Sequence, residues 1–449
     1  MTKPPQPGVQ ATIRPAVSTA SIGIAFFLLT TLMPILPKAF AQALPAAQAS
    51  PISTGFALPR AQGSLQYAVS ASESLSSGYY SNAGYDTATN LSGDLAFLSN
   101  SAADPFSMVF SGGRAWSTSG QPSYSFLNLA LSQVITTRLW SLVLSDGVNY
   151  LPGTATTGLS GVSGVGDLGV DPVQVGATTP QGVLTNYSSR VGNMSTAGLS
   201  FNFTGKTSVH ASVAYGLTRF LDDSGKAINS GLDSDLKAAS GGLSHRINAR
   251  NTLSANYSYS SFTFNSGEPG FINQTASLMF LHQLTRKLTT SLSAGPQWTQ
   301  INLPGNSPVL SLYADVNATY GGRFSHVSLD FTRSANSGFG VTAGAISDSV
   351  RLTAGRTFAR VWNCSISGAY TQTSNLQGAN NTTFGAQTEV GGVQVSRAIA
   401  GSLSGFASYT LENQATSGPA PAVDLFSGLS KVAGFGLVYS PAAYRIGRQ

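Results

Sequence analysis

The most regular feature of the chain is an alternation of apolar and polar residues that begins near residue 64 and continues almost to the C-terminus. In one stretch the apolar set is Leu288, Leu292, Ala294 and Trp298, and the interleaved polar set is Ser291, Ser293 and Gln297. Successive side chains of a strand point to opposite faces, so a period of two predicts strands with one apolar and one polar face. The polar face carries Ser, Thr, Asn, Gln and Gly instead of the Lys, Glu and Arg expected of a soluble sandwich. The apolar face must therefore meet a large apolar surface.

Short connections, several of them with a basic residue, interrupt the alternation at nearly regular intervals. They lie near Ala102, Thr137, Gly205, Ala249, Arg286, Gly322, Arg360 and Ile399. Each interval holds two strands of about 10 to 13 residues, enough to cross a bilayer at a tilt, and one longer connection at the opposite end. Strands in hydrocarbon must close because every backbone N–H and C=O needs a partner. The sequence predicts an all-β, antiparallel up-and-down transmembrane barrel over 64–449, with short periplasmic turns, longer external loops and about 18 strands, within a range of about 14 to 18.

The four tryptophans occupy two levels of the predicted barrel. Trp140 and Trp362 each begin a strand just after a short turn, whereas Trp116 and Trp298 lie near the far ends of such strands. Tryptophan favours the membrane–water interfaces, so these positions predict two interfacial girdles.

The N-terminal residues have the order of a secretory signal peptide. Lys3 and Arg14 precede an apolar run over 22–36, and small residues follow at Ala39 and Ala41. This order predicts an exported protein whose residues 1–41 are removed. An uncleaved anchor is the alternative, which the shortness of the apolar run disfavours.

Composition excludes several classes of protein. Charged residues make up 9% of the chain, against about 25% in soluble domains. The 24 basic and 18 acidic residues include three basic ones before residue 42, so 21 basic residues remain and no basic surface for nucleic acid is expected. Residues 42–63, rich in Ala, Pro and Gln, are predicted to form a short periplasmic tail.

On these patterns the chain resembles bacterial outer-membrane β-barrel proteins of the porin type over about residues 64–440. The stretch from Gly434 to Tyr439 resembles the C-terminal signal of that class, although Val432 stands where a polar residue is usual and ten residues follow Tyr439. The resemblance implies a bacterial outer-membrane location, contact with outer-membrane lipid and with the barrel assembly machinery, and a homo-oligomer.

Barrels of 16 to 18 strands generally enclose water, so the size favours a pore. Parity places four ionisable residues on the inward face: Asp315, Asp330, Arg351 and Glu389. They are few and mixed in sign, and structural ion pairs are an equally good interpretation. We therefore predict a porin-like channel for passive diffusion of small hydrophilic, neutral solutes. The alternative is a barrel serving an export apparatus, for example for exopolysaccharide, or a structural protein with a closed lumen.

A long insertion over 150–190 is the third long loop of the predicted barrel. It contains Asp167 and Asp171 and ends at Arg190. Loops of this length are usually functional or disordered. The porin resemblance implies that this loop folds inward as a constriction, and a surface loop is the alternative.

Two His-x-Ser pairs are candidate catalytic groups. His210 with Ser212 and His326 with Ser328 resemble a motif of outer-membrane phospholipases, but the Asn-Gly expected after the serine is missing and parity points both pairs into the lumen. We predict no enzymatic activity and no cofactor. The scattered histidines and the lone Cys364 predict no metal site, and Cys364 shares the parity of an apolar outward face.

Overall fold

The computed structural model describes residues 63–78, 85–99, 104–117, 123–151, 189–221, 233–265, 267–338, 343–376, 385–417 and 428–446. The predicted signal peptide (1–41) lies outside the described residues, as does the predicted tail except Gly63. No helix within the described ranges is long and apolar enough to cross a membrane.

The described residues form one antiparallel sheet, and its long strands have 12 to 16 residues. The strands are β1 (Gly63–Ser77), β2 (Tyr85–Ser99), β3 (Phe106–Ser117), β4 (Tyr124–Thr136), β5 (Trp140–Leu151), β6 (Ser189–Asn202), β7 (Thr207–Leu221), β8 (Ser234–Arg246), β9 (Asn251–Phe264), β10 (Phe271–Gln283), β11 (Leu288–Ile301), β12 (Val309–Gly321), β13 (Ser325–Asn336), β14 (Ala345–Phe358), β15 (Trp362–Asn375), β16 (Gly385–Ala400), β17 (Leu403–Ser417), β18 (Gly428–Tyr439) and β19 (Tyr444–Ile446).

Each long strand pairs with its neighbours in sequence, and β18 closes the sheet by pairing with β1 from Val69–Tyr439 to Ser77–Lys431. The short β19 continues this seam, because Ile446 pairs with Gly63. The predicted up-and-down barrel of 18 strands is thus confirmed, while the strand pairing beyond Tyr439 was not predicted.

The short connections of the barrel share a local hydrogen-bond pattern. Thr204 and Thr285 each accept two backbone N–H bonds in their side-chain oxygen, at 3.0 and 3.1 Å. Asn248 accepts two at 2.9 Å in the same way, and Thr137 accepts one from the backbone of Trp140 at 3.1 Å. A side chain that satisfies the turn's own backbone donors stabilises a tight reversal without help from tertiary contacts.

The predicted turn positions agree with the strand bounds. Seven of the eight positions fall between paired strands, and Ile399 lies two residues before the turn at 401–402. We refer to this end of the barrel as the short-turn end. The opposite end, called the loop end, carries the longer connections, including residues 152–188.

The two faces of the sheet differ as the alternation predicts. Outward positions hold large apolar side chains that are open to the surroundings, such as Leu278, Leu292 and Phe435. Inward positions hold mostly small polar side chains that are largely buried, such as Ser254 and Thr371. The hydrophobic surface of this protein therefore lies outside the barrel.

At the closure seam, Gly436 allows β18 to approach its neighbours closely. A Cβ at this position would lie 2.5 Å from the carbonyl oxygen of Ala71 and 2.9 Å from the ring of Phe406. Phe406 packs with Ala68 and Val438 in a small buried cluster on the inner side of the seam. Any larger residue at 436 would push apart the strands that close the barrel.

Candidate functional site: the inner wall and the loop-end mouth

Hydroxyl groups that bond to each other across neighbouring strands cover much of the inner wall. Ser141 bonds Ser200 at 2.7 Å between β5 and β6, and Ser212 bonds Ser240 at 2.7 Å between β7 and β8. Such pairs satisfy buried hydroxyls without adding charge. The wall is consequently polar and mostly neutral.

Three of the four predicted lumen charges lie together on the inward face of β12, β13 and β14. Asp330 is the direct ladder partner of Arg351, and the side-chain amide of Asn317 donates a hydrogen bond to Asp330. Thr332 donates to Asp315 at 3.3 Å. The structure therefore brings two carboxylates and one guanidinium onto one patch of the inner wall.

The prediction that Glu389 faces the lumen is wrong. Glu389 pairs with the outward-facing Tyr370, whereas its neighbour Val390 points inward and is 7% exposed. The cause is the pair Gly391 and Gly392 at the centre of β16. Glycine has no side chain to mark a face, so the phase of the alternation cannot be read through this strand.

Three inward carboxylates escaped the sequence analysis. Asp86 and Asp94 lie on the inward face of β2, Glu412 lies on that of β17, and all three are buried. Ser117 donates a hydrogen bond to Asp86 at 2.9 Å. The sequence does indicate the inward position of the two β2 aspartates. The outward positions of β2 include Leu91 and Leu95, whose parity is opposite to that of Asp86 and Asp94.

The histidine–serine pairs lie on the inward face, and in the first pair each side chain has another partner. His210 bonds the amide oxygen of Asn256 at 3.0 Å across β8, where Gly242 leaves the space. Ser212 bonds Ser240, as described above. Within the described residues, no group of three or more His, Cys, Asp or Glu side chains could hold a metal ion.

Most of the predicted constriction loop, residues 152–188, lies outside the described residues. Asp167 and Asp171 lie outside the described residues. Arg190 is the second residue of β6 and pairs through its backbone with Leu151 and Phe220, while its side chain lies outside the description.

An apolar cluster, which we call the mouth cluster, interrupts the polar inner wall at the loop end. It consists of Phe262, Phe264, Phe271 and Ala343, with Leu236, Ile301, Ala335 and Leu376 packed against it. The rings of Phe262 and Phe271 stack with centroids 4.5 Å apart. Phe271 is completely buried although it faces the lumen, so other parts of the chain cover it.

Part of that cover comes from the tip of the β13–β14 hairpin, defined here as residues 334–338 and 343–347. Gly344 has φ of +92°, and a Cβ there would lie 2.7 Å from the ring of Phe271 and 2.9 Å from Leu376. The backbone N–H of Leu376 also donates to the carbonyl oxygen of Gly344 at 3.1 Å. Only glycine combines this backbone conformation with so close an approach to a ring.

The outer wall carries all four tryptophans. Trp140 and Trp362 are the first residues of β5 and β15 at the short-turn end, and Trp116 and Trp298 lie toward the loop ends of β3 and β11. Their ladder partners include outward apolar residues such as Phe201. The arrangement has two levels, and its interfacial role remains a prediction.

The carboxylate of Asp146, like that of Glu389, lies on the outer wall, and Asp146 is near the middle of β5. Asp146 shares its face with Leu131 and with Ser195, its ladder partners on either side. Its Oδ1 accepts hydrogen bonds from the amide of Asn193, at 3.1 Å, and from the hydroxyl of Ser195. An acidic group is unusual on this face, because the large outward side chains of the barrel are mostly apolar.

A closed barrel of 18 antiparallel strands, with an apolar exterior and a hydroxyl-rich interior, has the architecture of membrane-spanning barrels of the porin class. No protein-family model matches the sequence, and no curated protein matches it.

Three solved structures illustrate what the chain is similar to. OccK5 (OpdH) of Pseudomonas aeruginosa is 11% identical, covering 85% of this chain and 98% of that protein with a TM-score of 0.41. OccAB3 of Acinetobacter baumannii is 10% identical, covering 86% and 99% with a TM-score of 0.42. The outer membrane protein opdK of Pseudomonas aeruginosa is 10% identical, covering 85% and 99% with a TM-score of 0.42. These overlaps are loose, and the fold described above rests on the strand pairing of this chain itself.

Proposed function

We propose that the protein is an outer-membrane channel of the porin class through which small hydrophilic solutes diffuse passively. The observation that carries this proposal is the closed sheet of 18 strands with hydroxyl groups on its inward face. A barrel of this strand number encloses more space than its own side chains can fill. A hydroxyl-lined space admits water and polar solutes.

Neutral solutes fit the inner wall best. Three inward charges of the described strands, Asp315, Asp330 and Arg351, form one mixed patch, and the other inward carboxylates of these strands are buried. Ion selectivity in pores arises from rings of like charge. A wall that is polar but without such a ring favours uncharged solutes such as sugars.

The proposed environment follows from the leader and from the outer wall. We propose export through the predicted signal peptide and contact of the apolar face with outer-membrane lipid. The outward residues Phe435, Leu437 and Tyr439 of β18 are exposed on one face, which suits recognition by the barrel assembly machinery. A homo-oligomer is also proposed on the porin resemblance.

Planar-bilayer recording tests the channel. The purified, folded protein is expected to produce stepwise ohmic openings, and liposomes that contain it are expected to swell in neutral sugars. Arg351→Gln should shift the reversal potential toward cation preference, because it removes the inward cation beside Asp315 and Asp330. Arg356→Gln on the outward face of β14 is the matched control and should leave the potential unchanged. A folded barrel that never conducts would refute an open channel.

A closed-lumen barrel that acts in an export apparatus or as a structural protein is the second candidate. The complete burial of Phe271 and the 1% exposure of Gln297 near the loop end favour it, since inward side chains of a wide-open mouth would meet water. The two candidates differ in conductance. No catalytic role is proposed for either, because His210 and Ser212 have separate partners.

A further inference from the structure

We propose that the tip of the β13–β14 hairpin, held by Phe271, is the constriction that limits passage through the barrel. This inference rests on the proposed channel function and assigns the size-limiting role to residues that no sequence motif marks. It differs from the constriction predicted from the sequence, which lay in the loop over 150–190.

The first step is a break in the strand ladder. Pairing between β12 and β13 ends at Ala314 and Arg333. Beyond that point β12 remains paired with β11 as far as Val309, while β13 remains paired with β14 as far as Asn336. The two hairpins therefore separate at the loop end.

The second step is the contact that the separated tip makes. Gly344 immediately precedes β14, and Phe271 is the first residue of β10. Three strands lie between β10 and β14 in the sheet. Four strand spacings amount to about 19 Å along the wall, which is much farther than a phenylalanine side chain reaches. The contact between Phe271 and Gly344 therefore requires the tip to lean across the mouth.

The third step concerns which surfaces meet. Ala335 has the parity of the outward face, as does its ladder partner Ile346. Yet Ala335 packs against the mouth cluster, whose phenylalanines are inward-facing residues of β9 and β10. An outward face of the tip can cover an inward face of the wall only if the tip lies inside the barrel.

The tip is also held in shape. Asn336 donates a side-chain hydrogen bond to Ser347 at 2.8 Å and accepts one from the backbone of Gly338 at 2.9 Å. Ser347 bonds Thr373 of β15 at 3.0 Å. These bonds connect both strands of the hairpin to β15, so the tip leans as a structured unit. Phe271 acts as a positioning residue that holds this unit in the mouth.

Two substitutions release the tip in different ways. Phe271→Ala removes the ring against which Gly344 packs, and Gly344→Val inserts a side chain where the ring already lies. Both are expected to increase single-channel conductance and to admit larger sugars in liposome swelling. Phe280→Ala is the matched control, because Phe280 lies on the same strand but faces outward and is 40% exposed. Its conductance should equal that of the wild type.

Heat-modifiable migration in gels first shows which variants contain a folded barrel. Unchanged conductance in a folded Phe271→Ala or Gly344→Val barrel, with a conducting wild type, overturns the constriction and leaves the channel intact. A silent wild type with a conducting Phe271→Ala supports the constriction as a closure. Silence of all folded variants refutes both the channel and the constriction. If Phe271→Ala does not fold, Gly344→Val and the milder Phe271→Leu decide by the same criteria.

Discussion

Leu278→Arg tests whether the outward face meets lipid. Leu278 lies at the centre of β10, faces outward and is 61% exposed. Its ladder partners are Ala255 and Ala294, which are too small to shield a charge placed between them. Arginine at the bilayer midplane on a barrel exterior costs about 2–4 kcal/mol. That cost corresponds to a decrease of about 30-fold to 700-fold in the folding equilibrium constant.

The adjacent residue supplies the control. Ser277 has the opposite parity, and its partner on β9 is the inward-facing Asn256. Arginine at 277 can extend into the lumen and stay hydrated, so Ser277→Arg should change the free energy of unfolding by only about 0.5 kcal/mol. The two variants carry the same new charge one residue apart. Any difference between them therefore reports the surroundings of each face.

The measurement is denaturant unfolding of the barrel folded into phospholipid vesicles, followed by the fluorescence of its four tryptophans. The free energy of unfolding is obtained by linear extrapolation to zero denaturant. A larger loss for Ser277→Arg would show that the faces have been assigned the wrong way round, and equal losses would refute an exterior in lipid. A loss confined to Leu278→Arg supports an exterior in lipid.

Three further predictions test single positions. Cys364 faces outward, so a charged water-soluble thiol reagent should modify it slowly when the barrel is in vesicles. A cysteine at the inward Ser365, introduced as Ser365→Cys with Cys364→Ser, should react much faster. Mass spectrometry measures both rates, and equal rates would contradict the assigned faces. Gly436→Val should reduce the heat-stable folded fraction on gels, because its side chain would collide with the seam, whereas normal folding would show that the seam can widen. Asp146→Leu should raise the free energy of unfolding in vesicles if lipid covers that face, since it removes a carboxylate from hydrocarbon. A decrease would show that the hydrogen bonds from Asn193 and Ser195 stabilise the barrel by more than the carboxylate costs in lipid.

The sequence was sufficient for the strands and for the faces of most of them. Strand period, turn positions and strand number all follow from local rules, because a two-residue repeat and a side-chain cap such as that of Thr285 act over a few residues. The face predicted for Glu389 was wrong, because the two glycines that follow it in β16 have no side chain that is apolar or polar. The inward position of Asp94 was also not predicted, although the apolar residues Leu91 and Leu95 beside it mark the outward face of β2.

The sequence contains an indication of the mouth cluster that the strand-by-strand analysis did not use. In β9 the aromatic residues Tyr257 and Tyr259 have one parity, and Phe262 and Phe264 have the other. The strand pairs with both neighbours without a register shift, so the change of parity is a change of face. Apolar residues that switch to the inner face near a barrel end indicate that something apolar covers them. The sequence does not reveal which segment provides the cover.

The hairpin tip can lean only because the β12–β13 ladder ends below it. That ladder can end only where water is able to hydrogen-bond the unpaired backbone groups. Beyond Ala314 and Arg333 the facing edges of β12 and β13 give up their mutual hydrogen bonds. In hydrocarbon each unpaired backbone group would cost several kcal/mol, so a closed ladder is required there. Water at the loop end and water in the proposed lumen can satisfy the same groups. The rule that closes the barrel within the membrane thus permits it to open toward its wet end. The hairpin, separated from β12 but still paired with β15, then gains the apolar contact with Phe271.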